Sequence, residues 1–262
     1  MSAPERFDVR GARVVVTGAA SGLGLAIAEA MAEGGARVTL ADLDAEALER
    51  VAGALGGDVR TAQLDVSDHD AVQRMFDELV EEQGGVDAAF ANAGISLEAG
   101  VLHEDGGLEA IDPETWRRVL AVNLDGVVFT MKAAARHMKK QGSGRIVVTA
   151  STAGYGTDPL VGYSYSATKA AVIVLVRQAG LELARHGVHV NAIAPGPFRT
   201  NIGGNAAPIP DEAWNDIVAF GRMAEPDELK GVALLLASPA SSFMTGAVIP
   251  VDGGQLLMSH GV

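Results

Sequence analysis

Short β-branched runs alternate with longer stretches of helical period along this chain, and that alternation limits the fold more than any other feature. Val14-Val15-Val16 precedes Ala26 to Met31, and Arg37-Val38-Thr39-Leu40 precedes Ala45 to Val51. Further strand-like runs stand at Val59 to Leu64, Val86 to Phe90, Ile146 to Thr149, His189 to Ile193 and Ala247 to Val251. Repeated strand-then-helix order implies right-handed crossovers and a parallel sheet covered by helices on both faces. The expectation is a seven-stranded, doubly wound α/β fold. No repeat, linker or compositional shift divides residues 1–262, so a single domain is expected.

Such a fold needs an aliphatic core, and hydrophobic residues are 48% of the 262 while aromatics are only 5%. With 20% charged residues, this composition excludes disorder and low complexity. Acids outnumber bases by 33 to 20, a formal charge of −13, which leaves no basic footprint for nucleic acid. The absence of cysteine excludes disulfides, thiolate metal ligands and a thiol nucleophile. Met1 to Arg10 holds no apolar run, and no uncharged run that is apolar throughout approaches the ~18–20 residues of a membrane helix. A cytoplasmic protein without membrane or nucleic-acid partners is expected.

Two long helices follow from periodicity. Pro113 to Met138 carries Trp116, Leu120, Ala121, Leu124, Val127 and Val128 mostly at spacings of three and four, behind an Asp112 N-cap and an N1 proline. Tyr163 to Ala184 is charged only at Lys169, Arg177 and Glu182, so it is expected to be buried on most sides. Pro197 to Phe220 breaks the pattern with Pro197, Gly203, Gly204, Pro208 and Pro210 after a strand. Ligands of open α/β sheets bind at the carboxyl ends of strands, so this segment reads as a lid, with an inert surface loop as the alternative.

The first strand runs into Thr17-Gly18-Ala19-Ala20-Ser21-Gly22-Leu23-Gly24 and then a helix. Glycines there permit a tight turn and let N–H groups at the helix N-terminus reach a pyrophosphate. Eighteen residues after Gly24, at the end of the second strand run, stands Asp42. A carboxylate there can accept both ribose hydroxyls of adenosine, whereas a 2′-phosphate would meet like charge. Ala19, Ala20, Ser21 and Leu43 are not basic, so NAD is predicted over NADP. The alternative is that Asp42 merely caps the next helix.

Tyr165-Ser166-Ala167-Thr168-Lys169 places a phenol and an ammonium one turn apart on one helix face. A free phenol titrates near ~10, too high for a base at neutral pH, and a nearby ammonium stabilises the phenolate. The pair is suited to acid–base catalysis. Lys169 is also the sole charge from Val161 to Val176.

Together with Asn92-Ala93-Gly94, Asn123, Ser151, Pro195-Gly196 and Asp252-Gly253-Gly254, these motifs resemble the short-chain dehydrogenase/reductase superfamily in its compact form. They occur in the family's order from Gly11 to about Gly254. The resemblance implies a Rossmann-type fold and a catalytic set of Asn123, Ser151, Tyr165 and Lys169. In that set Tyr165 exchanges a proton with the substrate oxygen while a hydride moves at the nicotinamide. Lys169 would hold the nicotinamide ribose and lower the Tyr165 pKa, Ser151 would orient the substrate, and Asn123 would position a relaying water. Cofactor contacts are implied for Gly18, Ser21, Gly22, Leu23, Gly24, Asp42, Leu43, Asp65, Val66, Asn92, Ala93, Gly94, Tyr165, Lys169, Pro195, Gly196, Phe198 and Thr200. Many relatives place the serine thirteen residues before the tyrosine, a spacing that Thr152 meets. Ser151 is preferred because Gly154 follows it by three, as in the family pattern.

The expected activity is NAD-dependent interconversion of a secondary alcohol and its ketone. The alternatives are a ketoreductase of fatty acid or polyketide type and a non-catalytic dinucleotide sensor. Enoyl reductases place more residues between tyrosine and lysine, and extended epimerases carry a larger carboxyl-terminal domain. Candidate substrate-pocket residues are Ser96, Thr152 to Tyr155, Tyr163, Phe198, Trp214 and Phe220. The resemblance also implies a homotetramer joined through the two long helices, whose apolar surplus would equally suit burial against the sheet. Histidines at 69, 103, 137, 186, 189 and 260 form no ligand motif, so no catalytic metal is expected. Arg136, His137, Lys139 and Lys140 complement a helix end, with a docking site for an acidic carrier protein as the alternative. Leu97 to Ile111, longer than in relatives, either walls the substrate pocket or decorates the surface.

Overall fold

The computed structural model describes residues 2–202 and 211–258. The strands are β1 (Arg13–Thr17), β2 (Arg37–Asp42), β3 (Val59–Gln63), β4 (Ala88–Ala91), β5 (Gly144–Thr149), β6 (Val188–Pro195) and β7 (Val248–Val251). The helices are α1 (Ala3–Arg6), α2 (Gly22–Glu33), α3 (Ala45–Leu55), α4 (His69–Gln83), α5 (Pro113–Leu120), α6 (Gly126–Gln141), α7 (Tyr163–Leu183), α8 (Lys230–Ala237) and α9 (Gln255–Met258). The seven strands form one parallel sheet in the order β3-β2-β1-β4-β5-β6-β7. Its order reverses between β1 and β4, which opens a crevice at their carboxyl ends.

Each sheet face carries its own core, as buried parallel strands require. One buries Val72, Phe76 and Leu79 of α4, Met131 and Met138 of α6, and Val172 and Val176 of α7. The other buries Ile27 and Met31 of α2, Leu48 of α3, and Ala233 and Leu236 of α8. The uncharged run of α7 thus lies against the sheet through part of its surface, while Val174 and Leu181 remain exposed.

Two elements differ from the sequence reading. β4 begins at Ala88 because Val86 is held outside the ladder, its N–H donating to Gln141 Oε1 at 2.8 Å. The long run from Pro113 is two helices, α5 and α6, joined by a π turn at Ala121–Asp125. A π turn inserts a single residue, so the apolar period continues almost unbroken while the hydrogen-bond register shifts.

One threonine ties the carboxyl ends of β1 and β4 together at the crevice. Thr17 Oγ1 donates to the Phe90 carbonyl at 3.2 Å and accepts from the N–H groups of Asn92 and Ala93 at 3.0 and 3.2 Å. Thr17→Val keeps the shape but leaves both N–H groups without an acceptor. It is expected to cost about 1–3 kcal/mol in urea unfolding, while Thr17→Ser stays close to wild type.

Candidate active site

The glycine turn lies at the crevice, between β1 and α2. Gly18 (φ +67°) and Gly22 (φ +56°) hold conformations that side chains disfavour. A Cβ at Gly24 would fall 1.9 Å from the Gly18 carbonyl oxygen. The N-cap Ser21 makes no capping bond with its side chain, and the first turn of α2 has no acid. Its hydroxyl and the first N–H groups are therefore uncommitted to a cap, which fits an anion such as a pyrophosphate. Gly22 faces Thr200 across a cleft of about 250 Å³ that Leu25, Arg199 and Asn201 also line. These residues fit a dinucleotide cofactor.

Asp42 ends β2 beside this turn. Its two oxygens accept from the N–H groups of Ala20 at 3.0 Å and Asp44 at 3.1 Å. Asp44, not Asp42, caps α3, through the Ala47 N–H. Leu43 is exposed beside it. Asp65 closes its own turn, one oxygen accepting from the N–H and hydroxyl of Ser67. Val66 is buried and packs so closely on α6 that a Cβ at Gly126 would lie 2.8 Å from its Cγ2.

Asn92 braces the crevice from β4. Its Nδ2 donates to the carbonyls of Thr17 and Gly18 at 3.0 and 3.3 Å, and its Oδ1 accepts from Thr149 Oγ1 at 2.9 Å. Its side chain is thus spent on the cradle itself. Ala93 closes on Gly18, where a Cβ would lie 2.7 Å from the Ala93 Cα, and Gly94 lies between Asn123 and Lys169.

Tyr165 and Lys169 share one face of the first turns of α7, with Lys169 Nζ 5.5 Å from the Tyr165 ring centroid. Lys169 is only 2% exposed, and its ammonium donates to the Thr149 carbonyl at 2.7 Å. Burial pulls its pKa down to about 8, because the charged form loses solvation. Burial also raises the Tyr165 phenol above its ordinary value, opposed by a hydrogen bond with Ser151, while the charge of Asp158 adds to the rise.

Ser151, at the end of β5, accepts the Ala153 N–H at 3.2 Å and still reaches the Tyr165 phenol. Thr152 points elsewhere: its hydroxyl lies 2.8 Å from Gln255 Oε1 and 3.2 Å from the Pro195 carbonyl. Asn123, fully buried in the π turn, has both side-chain groups engaged with Ile95, accepting its N–H and donating to its carbonyl at 2.8 Å each. Pro195 ends β6, and Gly196 lies against Asp252 and Gln255. Phe198 turns its ring into the core, 6% exposed, and does not line the cleft with its side chain.

Of the expected substrate-pocket residues, Ser96 donates its N–H to the Ile202 carbonyl and Trp214 is buried. Tyr155 reaches away to the Val248 carbonyl on β7. Phe220 is exposed, and Tyr163 lines a separate cavity of about 300 Å³ with Glu98, His103 and Thr115. Of the proposed lid, residues 203–210 lie outside the described residues, as does His260. Thr149 and Gln255 were not expected at the site. Thr149 ends a strand and carries no motif, and Gln255 only follows the Asp252-Gly253-Gly254 signature.

Among the described residues, no three His, Cys, Asp or Glu side chains form a group that could hold a metal ion. No helix among them is long and apolar enough to cross a membrane. The basic cluster on α6 is largely engaged: Arg136 pairs with Asp77 and Lys139 with Glu182, and His137 hydrogen-bonds with Asp77.

A family model described as Enoyl-(Acyl carrier protein) reductase matches residues 18–255. The chain is 41% identical to meso-2,3-butanediol dehydrogenase of Serratia marcescens, covering 95% of each sequence. It is also 41% identical to galactitol 2-dehydrogenase (L-tagatose-forming) of Cereibacter sphaeroides, covering 95% of this chain and 96% of that one. A crystal structure of a short-chain type dehydrogenase/reductase from Mycobacterium marinum superposes with a TM-score of 0.89 at 38% identity, covering 97% and 99%. The chain belongs to the short-chain dehydrogenase/reductase superfamily. Members use nicotinamide dinucleotides, which accords with the fit of the glycine turn.

Buried Lys169 makes stability depend on pH. Its folded pKa lies below the unfolded value of 10.5, so between about pH 8 and 10 the unfolded chain binds the extra proton. Raising pH through that window is expected to stabilise the ligand-free protein against urea. Lys169→Met is expected to flatten the rise.

Proposed function

We propose that this protein is an NAD-dependent dehydrogenase that interconverts a secondary alcohol and its ketone with Asn123, Ser151, Tyr165 and Lys169. The observation that carries this reading is the Tyr165 phenol, one helical turn from the buried Lys169, whose Nζ lies 5.5 Å from its ring centroid, with Ser151 as the neighbour that opposes the rise of its pKa. The relatives named for butanediol and galactitol oxidation support the same reaction class. A bound nicotinamide supplies the hydride acceptor or donor.

The chain's own residues handle the proton. In alcohol oxidation, Ser151 holds the substrate oxygen while Tyr165 takes the hydroxyl proton as the hydride leaves carbon; reduction reverses both transfers. Lys169 supplies a positive charge beneath this site, favouring the phenolate. The Asn123 amide is occupied by Ile95, so its main-chain carbonyl, in the shifted register of the π turn, is the group assigned to orient a relaying water.

Asp42 supports NAD. Its carboxylate at the end of β2 stands where a 2′-phosphate would meet negative charge, and neighbouring Ala19, Ala20, Ser21 and Leu43 offer no cation. Pro197 to Phe220 is assigned as the lid, anchored by Phe198 in the core and by the Ile202 carbonyl on Ser96. We assign a homotetramer to the long-helix surfaces, where α7 exposes Val174 and Leu181. The absence of a membrane-spanning helix among the described residues is compatible with a cytoplasmic setting.

Turnover across secondary alcohols, diols and polyols with NAD and NADP tests the reaction. Higher kcat/KM with NAD is expected, with losses of at least ~10²-fold in Tyr165→Phe and Ser151→Ala and far less in Thr152→Ala. Equal use of the two cofactors would remove the NAD assignment, and activity surviving in Tyr165→Phe would remove the mechanism. Light scattering is expected to give a tetramer; a monomer at assay concentration would contradict the assembly.

A further inference from the structure

Helix α7 carries Tyr165 and Lys169, yet it starts without its own end devices. Its N-cap is Gly162, no side chain of the cap residue accepts an N–H, and its first turn holds no acid. The missing acceptor comes from the 97–111 loop. One oxygen of Glu98 accepts the Ser164 N–H at 2.9 Å and the Ser164 hydroxyl at 2.5 Å, while the other is buried without a protein partner.

The chain is shaped for this approach on both sides. A Cβ at Gly162 would lie 2.3 Å from the Cβ of Glu98, and one at Gly100 would lie 2.1 Å from the Pro159 carbonyl oxygen. Ala99 and Val161 pair as an antiparallel bridge. Within the loop, a Cβ at Gly106 would fall 1.9 Å from the Gly100 carbonyl oxygen. The loop is therefore laced to residues 159–164, the segment that delivers Tyr165. Surface decoration would need none of these contacts.

We infer that Glu98 is a positioning residue, capping α7 from the 97–111 loop and so holding the Tyr165 phenol against Ser151. This rests on the dehydrogenase reading above. Ser164 immediately precedes Tyr165, so the anchored turn is the one that directs the phenol. A carboxylate there also complements the positive end of the helix dipole. Without it, the Ser164 N–H loses its acceptor and the first turn frays, while the glycine turn on β1 is untouched.

The test compares Glu98→Ala and Glu98→Gln with wild type by kcat and KM on an oxidised alcohol, NADH affinity by fluorescence, and amide exchange of residues 163–168. Glu98→Ala is expected to lower kcat by at least about tenfold, because small displacements at a reacting group are costly. Its NADH affinity is expected to stay within about twofold, and Glu98→Gln, which keeps an acceptor oxygen, to hold kcat within about threefold of wild type. Exchange in the first turn of α7 is expected to quicken in Glu98→Ala and recover in Glu98→Gln. Wild-type kcat and exchange in Glu98→Ala would overturn the inference, as would loss of NADH binding together with kcat. A wild type inactive on every alcohol would strike the dehydrogenase reading instead, and the exchange comparison would still decide the role of Glu98.

Discussion

Burial of the Lys169 ammonium is the constraint around which the site is arranged. A charge that is 2% exposed must be met by a strong acceptor, and the Thr149 carbonyl at the end of β5 meets it at 2.7 Å. That bond draws α7 against the sheet and places Tyr165 beside Ser151, the second residue after Thr149. No carboxylate among the described residues neutralises the lysine, and burial lowers its pKa to about 8. The interior thereby keeps a group that can bind a proton, at a cost in stability that a fully apolar core would not carry.

Thr149 also joins the two halves of the crevice. Its hydroxyl holds Asn92 Oδ1, and the Asn92 amide holds the carbonyls of Thr17 and Gly18. A continuous chain of hydrogen bonds therefore runs from the glycine turn, through β4, to Lys169. The glycine turn and the residues proposed to handle the proton are set by one network across three adjacent strands, β1, β4 and β5.

Much of this was legible in the sequence because the signals are local. β-branched runs reported seven strands, and the Tyr165 and Lys169 spacing reported a shared helix face. What stayed hidden depends on partners far apart in the chain. Asn92 carries the signature of a cofactor contact, yet its side chain is committed to Thr17, Gly18 and Thr149. Phe198 follows the Pro195-Gly196 motif but turns into the core. The π turn hid because it barely disturbs the apolar period. Glu98 hid because its partner lies 66 residues away, although a helix opening with Gly162 and lacking an acid in its first turn was a sign that a cap must come from elsewhere.

Calorimetry of NAD⁺ binding near pH 8, in buffers of different ionisation enthalpy, tests most directly whether the buried pair is the proton-handling device. A nicotinamide cation bound as proposed, beside Tyr165 and Lys169, would expel protons from the wild type, with release much reduced in Lys169→Met and Tyr165→Phe. Binding without proton release, or release unchanged in both variants, would contradict that role.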